Sequence, residues 1–247
     1  ESARELVLKV PEGFKPQLPK NLKESVKLKQ HQMAGLAWMQ FLFLNSPHHC
    51  RGALLADDMG LGKTLQAISA IAHRNSTGAT RFLVVCPASV ITNWMREVDA
   101  RSELPIIKIH GEDHKVALQR WIQASGIGIT TFDTLKSFEI SEQEISALAV
   151  DTVIVDEAHY IKNISTGRTR TIAKWLERAP NVIFLTGTPL ENRVEEFVAL
   201  AKLLDSKMGN ELSRVALSAG PESFRKTVAP IYLRRNTEEV LKELPEL

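Results

Sequence analysis

The sequence predicts an α/β protein, a mostly parallel sheet with helices packed on both faces. Two observations carry this. Short β-branched runs alternate with helical patterns through most of the chain. Those runs are continuously apolar rather than alternating, the pattern of strands buried on both faces of a parallel sheet. A length of 247 residues supplies core for one large domain or two small ones. Hydrophobic residues at 44% and charged residues at 24% exclude a disordered chain, a collagen-like repeat and a disulfide scaffold. The balance of 31 basic against 29 acidic residues excludes a polybasic tail as the binding device. Any nucleic-acid contact must come from a local patch.

In chain order, residues 1–27 are rich in Lys and Pro and read as a linker or short edge element. Residues 33–44 are apolar almost all round, which predicts a buried helix. Strands are predicted at 53–56, 82–86, 106–109, 127–131, 152–156 and 182–186. A helix over 63–73 sets Leu65, Ile68 and Ala72 on one face, and one over 90–98 does the same with Val90, Trp94 and Val98. Further helices are predicted at 115–124, 143–148, 168–178 and 194–204. The crossovers between parallel strands should be right-handed. Residues 205–230, with Gly209, Gly220 and Pro221, read as a loop–helix insertion.

Cys50 and Cys86 give no reason for pairing, which fits a reducing intracellular compartment, the nucleus of a eukaryote or the cytoplasm of a prokaryote. No apolar run approaches the roughly 20 residues that span a bilayer, so no membrane partner is expected. The chain lacks an initial Met and stops in a charged segment at Leu247, so it reads as a piece of a longer protein. His48, His49 and Cys50 have no complementary Cys/His pair at metal-ligand spacing, so no metal site is expected there.

The most informative stretch is Asp57-Asp58-Met59-Gly60-Leu61-Gly62-Lys63-Thr64-Leu65, between a predicted strand and a predicted helix. That is the context of a phosphate-binding loop. Gly60 and Gly62 allow a tight turn that aims N–H groups at phosphate oxygens, and the helix N-terminus adds its dipole. Lys63 can reach β- and γ-phosphates, and the Thr64 hydroxyl can ligate Mg²⁺. Asp57 stands where the general pattern has Gly. The strand 152–156 ends in the carboxylates Asp156 and Glu157. The first would hold Mg²⁺ and the second would orient and deprotonate an attacking water. A phosphate cradle, a metal ligand and a base thus occur in the order one hydrolytic site requires.

The motifs together resemble the first RecA-like lobe of a superfamily 2 ATPase, specifically of the Snf2 family of double-stranded DNA translocases. Residues 28–39 resemble that family's Q motif, residues 57–64 its Walker A loop, and residues 82–98 its motif Ia. Residues 129–132 resemble motif Ib, Asp156-Glu157-Ala158-His159 the DEAH box, residues 185–192 motif III, and 232–235 with Glu239, Val240, Leu244 and Pro245 the segment leading toward a second lobe. Tyr160, Glu191 and Asn236 depart from the usual residues. The resemblance implies a RecA-like three-layer fold, with 28–204 as the lobe and 205–247 as a short insertion and exit segment. It implies ATP and Mg²⁺ as cofactors, with Gln32 reading adenine and residues 58–65 holding the phosphates. Taken without the motif, Gln32 is a solvated residue at a helix start. It implies sequence-independent duplex contacts at Ala88, Ser89, Trp94, Thr131, Gly187 and Asn192, with Lys162 as a further candidate. His159 and Thr188 would link nucleotide to DNA, or else serve packing and local hydrogen bonds. Arg234 and Arg235 would meet phosphate or form a structural salt bridge. Hydrolysis would need arginines from a second lobe, so this chain alone should hydrolyse ATP poorly. The alternatives are an RNA helicase or restriction-type translocase lobe, or an inactive scaffold of the same fold.

Overall fold

A computed structural model describes residues 10–45, 52–161, 167–188 and 193–242. His48, His49, Cys50, Lys162, Asn163, Glu191, Asn192, Leu244 and Pro245 lie outside the described residues.

Helix α1 (Gln30–Leu44) leads into β1 (Gly52–Leu55). Then follow α2 (Lys63–Ser76), β2 (Arg81–Val85), α3 (Ala88–Arg101), β3 (Ile106–Lys108), α4 (His114–Ala124) and β4 (Gly126–Thr130). Next come α5 (Phe132–Lys136), α6 (Glu142–Leu148), β5 (Thr152–Val155), a 3₁₀ turn (Ala158–Tyr160), α7 (Gly167–Leu176) and β6 (Asn181–Leu185). The chain closes with α8 (Val194–Leu204), α9 (Ser206–Ser218), α10 (Gly220–Val228), β7 (Tyr232–Leu233) and α11 (Thr237–Lys242). The seven strands form one sheet in the order β3-β4-β2-β5-β6-β1-β7, every neighbouring pair parallel. The expected three-layer α/β fold is the fold observed.

Strand residues alternate between two cores. Ala53, Leu55, Phe82, Val84, Ile127, Ile129, Ile154, Ile183 and Leu185 pack with apolar residues of α1, α2 and α3. Leu54, Leu83, Val85, Val153, Val155, Val182 and Phe184 pack on the opposite face with α4 to α10. Helix α1 is buried nearly all round, as its pattern predicts. Its Trp38 indole donates to the Pro230 carbonyl at 3.0 Å and so holds the return of the chain toward β7.

One expectation is refined. Residues 205–230 fold as α9 and α10, and β7 then pairs with β1, with Leu54 opposite Tyr232 and Leu55 opposite Leu233. Phe224, Val228 and Ile231 of this stretch join the core on the α4–α10 face of the sheet. The short helix α5 is set by the Thr131 side chain, which accepts the Thr134 N–H at its N-cap. Of residues 1–27, the described part lies along α1 and α3. Leu22 forms an isolated antiparallel bridge to Ser102, and Gln17 and Gln40 exchange two hydrogen bonds.

Candidate active site

Parallel α/β sheets bind ligands at the C-terminal ends of their strands. Here β1, β6 and β5 are adjacent, so their C-terminal ends place residues 57–65, 186–188 and 156–159 side by side. Lys63 and Thr64 open α2 at this edge, and Asp156 and Glu157 follow β5. The sequence separates these groups by about ninety residues, and the topology joins them.

The glycine-rich loop is a tight turn held by α1. Gly60 and Gly62 adopt left-handed φ angles of +86° and +84°. The φ of Gly62 favours glycine, and a Cβ there would lie 2.4 Å from Gln32 Nε2 and push that amide aside. Gln32 and His31 both engage the loop at Leu61. Gln32 Nε2 donates to the Leu61 carbonyl at 3.3 Å, and His31 Nε2 donates to it at 2.8 Å. The Gln32 amide oxygen accepts the Lys29 N–H at 2.9 Å. An adenine edge would compete with these partners for the same amide. Asp58 and Thr64 are half-buried, Leu61 and Leu65 are buried, and Met59 is 86% exposed at the tip of the loop.

Lys63 Nζ donates to the Asp57 carbonyl at 2.7 Å and the Asp58 carbonyl at 3.4 Å. Burial pushes the Lys63 ammonium below its ordinary range, opposed by the negative charges of Asp57, Asp156, Glu157 and Asp58. Burial likewise lowers His31, against the pull of its bond to Leu61.

The acidic pair is rigid. The Asp156 N–H donates to the Val85 carbonyl at 2.9 Å, which extends the β2–β5 ladder by one residue. Its Oδ1 accepts the Glu157 N–H at 2.8 Å and its Oδ2 accepts the Trp94 indole N–H at 2.8 Å. Glu157 has φ +51°, a left-handed conformation that non-glycine residues hold only where surrounding structure imposes it, typically at functional sites. His159 Nδ1 lies 3.2 Å from Glu157 Oε2 and 3.2 Å from Thr186 Oγ1, and its ring stacks on Tyr160. Thr186 Oγ1 also accepts the Thr188 N–H at 3.1 Å. The hydroxyl of Thr186, which lies in the motif III stretch but was given no role of its own, thus joins His159 to Thr188.

A buried ionic cluster closes the back of the loop. Arg235 donates to Asp57 through Nε at 2.9 Å, its backbone N–H at 3.1 Å and Nη2. Nη2 also donates to Gln66 Oε1 at 2.8 Å, and Nη1 donates to the His31 carbonyl. Of the two readings of Arg235, the structure takes the salt bridge. Asp57, at the position of the usual glycine, is its partner. Gly35 makes room for this cluster, since a Cβ there would lie 2.0 Å from Gln66 Oε1. Alongside, the Asp58 N–H donates to the Arg235 carbonyl at 3.0 Å and Thr237 N–H to Asp58 Oδ2 at 3.2 Å. The segment after β7 is thereby fastened to the phosphate loop.

The residues predicted to touch DNA are placed unevenly. Ala88 and Ser89 are exposed in the first turn of α3. Gly187 is exposed and stands beside the phosphate loop, 4.0 Å separating its ideal Cβ from Lys63 Nζ. Thr131 is buried, with its hydroxyl committed to capping α5. Asn192 lies outside the described residues. Trp94 is a correction: it is fully buried, and its side chain serves Asp156 rather than a DNA-facing surface.

Among the described residues, no cluster of three or more His, Cys, Asp or Glu is arranged to hold a metal. Thr64 and Asp156 offer a hydroxyl and a carboxylate, hard oxygen donors of the kind Mg²⁺ accepts together with phosphate and water. The donor set therefore fits Mg²⁺ shared with a nucleotide. No helix of the described residues is long and apolar enough to cross a membrane.

An all-parallel α/β sheet with a glycine-rich loop and a pair of carboxylates at one edge is the framework here, and homology makes it a helicase-like motor lobe. The SNF2-related domain matches residues 31–247, and the chain belongs to that family as its N-terminal ATPase lobe. The chain is 32% identical to the Zorya protein ZorD of Escherichia coli O139:H28, over 94% of this chain and 24% of that protein. It is 30% identical to the human SWI/SNF-related matrix-associated actin-dependent regulator of chromatin subfamily A containing DEAD/H box 1, again over 94% and 24%. The chain thus spans about a quarter of the length of these relatives. Among solved structures, the Sulfolobus solfataricus SWI2/SNF2 ATPase core in complex with dsDNA superposes with a TM-score of 0.77 at 27% identity, covering 94% of this chain and 49% of that one. The same core domain described without DNA gives 0.75 at 27% identity, covering 95% and 48%.

Proposed function

We propose that this lobe binds ATP with Mg²⁺ and hydrolyses it, in concert with a second RecA-like lobe, to drive translocation along double-stranded DNA inside the cell. The observation that carries the reading is the meeting of Lys63, Thr64, Asp156 and Glu157 at one sheet edge. The backbone of residues 58–65 would cradle the phosphates, and Lys63 would leave the Asp57 carbonyl for the β- and γ-phosphates. Gln32 would read the adenine edge. Thr64 and Asp156 would hold Mg²⁺, which when bound neutralises charge on the transferring phosphoryl group. Glu157 would orient the attacking water and take its proton, and His159 beside it would carry the state of the site through Thr186 to Thr188. Arginines of the second lobe would supply roughly 10³–10⁵ in rate, so this chain alone should turn over slowly.

DNA would be held by its phosphates, with Ala88, Ser89 and Gly187 the exposed described candidates. The dsDNA-bound structural relative supports this choice of partner. The test is ATP hydrolysis by a chain carrying both lobes, with duplex DNA, single-stranded DNA or RNA added, and Glu157→Gln as control. Stimulation by duplex alone, lost in the variant, is expected. Stimulation by RNA or single strands would assign the lobe to another superfamily 2 branch, and no hydrolysis under any condition would favour the scaffold.

A further inference from the structure

We propose that Trp94 is a positioning residue for Asp156, its indole N–H aiming the carboxylate at the metal that accompanies the nucleotide. The proposal rests on the reading of Asp156 as the Mg²⁺-holding carboxylate. Trp94 comes from α3, which begins three residues after β2 ends, and its indole reaches the residue that follows the neighbouring β5. Its ring has 0% exposure and lies on the buried stripe of α3 with Ile91 and Val98. An indole nitrogen can only donate, so the contact at 2.8 Å fixes Asp156 Oδ2 as an acceptor. The other oxygen is fixed by the Glu157 N–H at 2.8 Å. With one donor on each oxygen and its own N–H bonded to Val85, Asp156 cannot rotate without stripping a buried indole of its partner. Each oxygen still keeps a lone pair for a cation. Outer donors that orient metal-holding carboxylates are typically worth 10–100-fold in metal affinity or activity.

The test is the affinity of a fluorescent ADP analogue for the chain, titrated with Mg²⁺ and repeated in chelator. Trp94→Phe keeps most of the ring packing and removes the donor. It should raise the Mg²⁺ concentration for half-maximal enhancement of binding by about 10–100-fold and leave metal-free affinity unchanged. A variant that melts earlier but titrates with Mg²⁺ like wild type would overturn the proposal, since a purely structural role predicts that pattern. The unmutated chain gives a second readout. The Trp94 indole ¹⁵N–¹H resonance should move when Mg²⁺ is added to the ADP complex, and a resonance that stays put would also overturn it. Asp156→Asn separates this from the underlying reading. If that variant keeps wild-type Mg²⁺ dependence, Asp156 is not the metal residue, whatever Trp94 does.

Discussion

Replacing Arg235 by Met should cost this fold far more than loss of a surface ion pair. Arg235 is 3% exposed and Asp57 is 0% exposed. Met fills much of the arginine's volume but leaves the Asp57 carboxylate with two neutral donors, the residue-235 backbone N–H at 3.1 Å and Gln66 Nε2 at 3.2 Å. Breaking a buried pair from one side typically costs about 3–5 kcal/mol. For a domain of this size each kcal/mol lowers Tm by about 2–4 °C, so the melt should fall by roughly 6–20 °C. Asp57→Asn alone should also destabilise, because it strands the guanidinium. The double variant should be less destabilised than the sum of the singles by about 0.5–3 kcal/mol. Urea unfolding at equilibrium, with m-values checked for constancy, measures all three. A single-variant loss under about 1 kcal/mol, or additivity within about 0.5 kcal/mol, would refute the reasoning and class the cluster with exposed pairs. Gly35→Ala should reproduce part of the loss, since its Cβ would displace Gln66 from 2.0 Å away.

Two other outcomes are expected. His31 and His73 are both lowered, chiefly by burial, from an unfolded value of 6.5. Their contribution is fully present above 6.5 and is lost as pH falls through 6.5 toward their folded values, so urea midpoints should drop on acidification, less so in His31→Gln. Cys86 is pushed up to about 12 by burial and then by Asp156. At about pH 8 its alkylation in the folded chain should be at least about 10³-fold slower than for a free thiol, as read by mass spectrometry of its peptide.

The strands were legible because each is a continuous apolar run, and all six predicted ones exist within one residue of their expected bounds. β7 escaped notice because two residues, Tyr232 and Leu233, carry no period of their own and are strands only through pairing with β1. α5 escaped because it depends on one capping hydroxyl rather than on an amphipathic stripe. At the site, the loop and acidic box could be read locally because glycines, Lys63 and the paired carboxylates follow in short order. The partners of those groups could not. Trp94 and Asp156 lie 62 positions apart, and Arg235 and Asp57 lie 178 apart. A tryptophan on a helix stripe looks the same whether its N–H meets water, DNA or a carboxylate. Asp57 stood out in sequence only as a departure from the general loop pattern, and its burial against Arg235 is a product of the fold.

The most direct test of the account is calorimetric binding of Mg·ATP to the chain, compared with Lys63→Ala. Wild type should bind one nucleotide. The variant should lose most of that affinity while keeping its fold, because Lys63 is bonded to loop carbonyls rather than to the core. Equal binding by both proteins would place the nucleotide elsewhere and contradict the assignment of this edge as the ATP site.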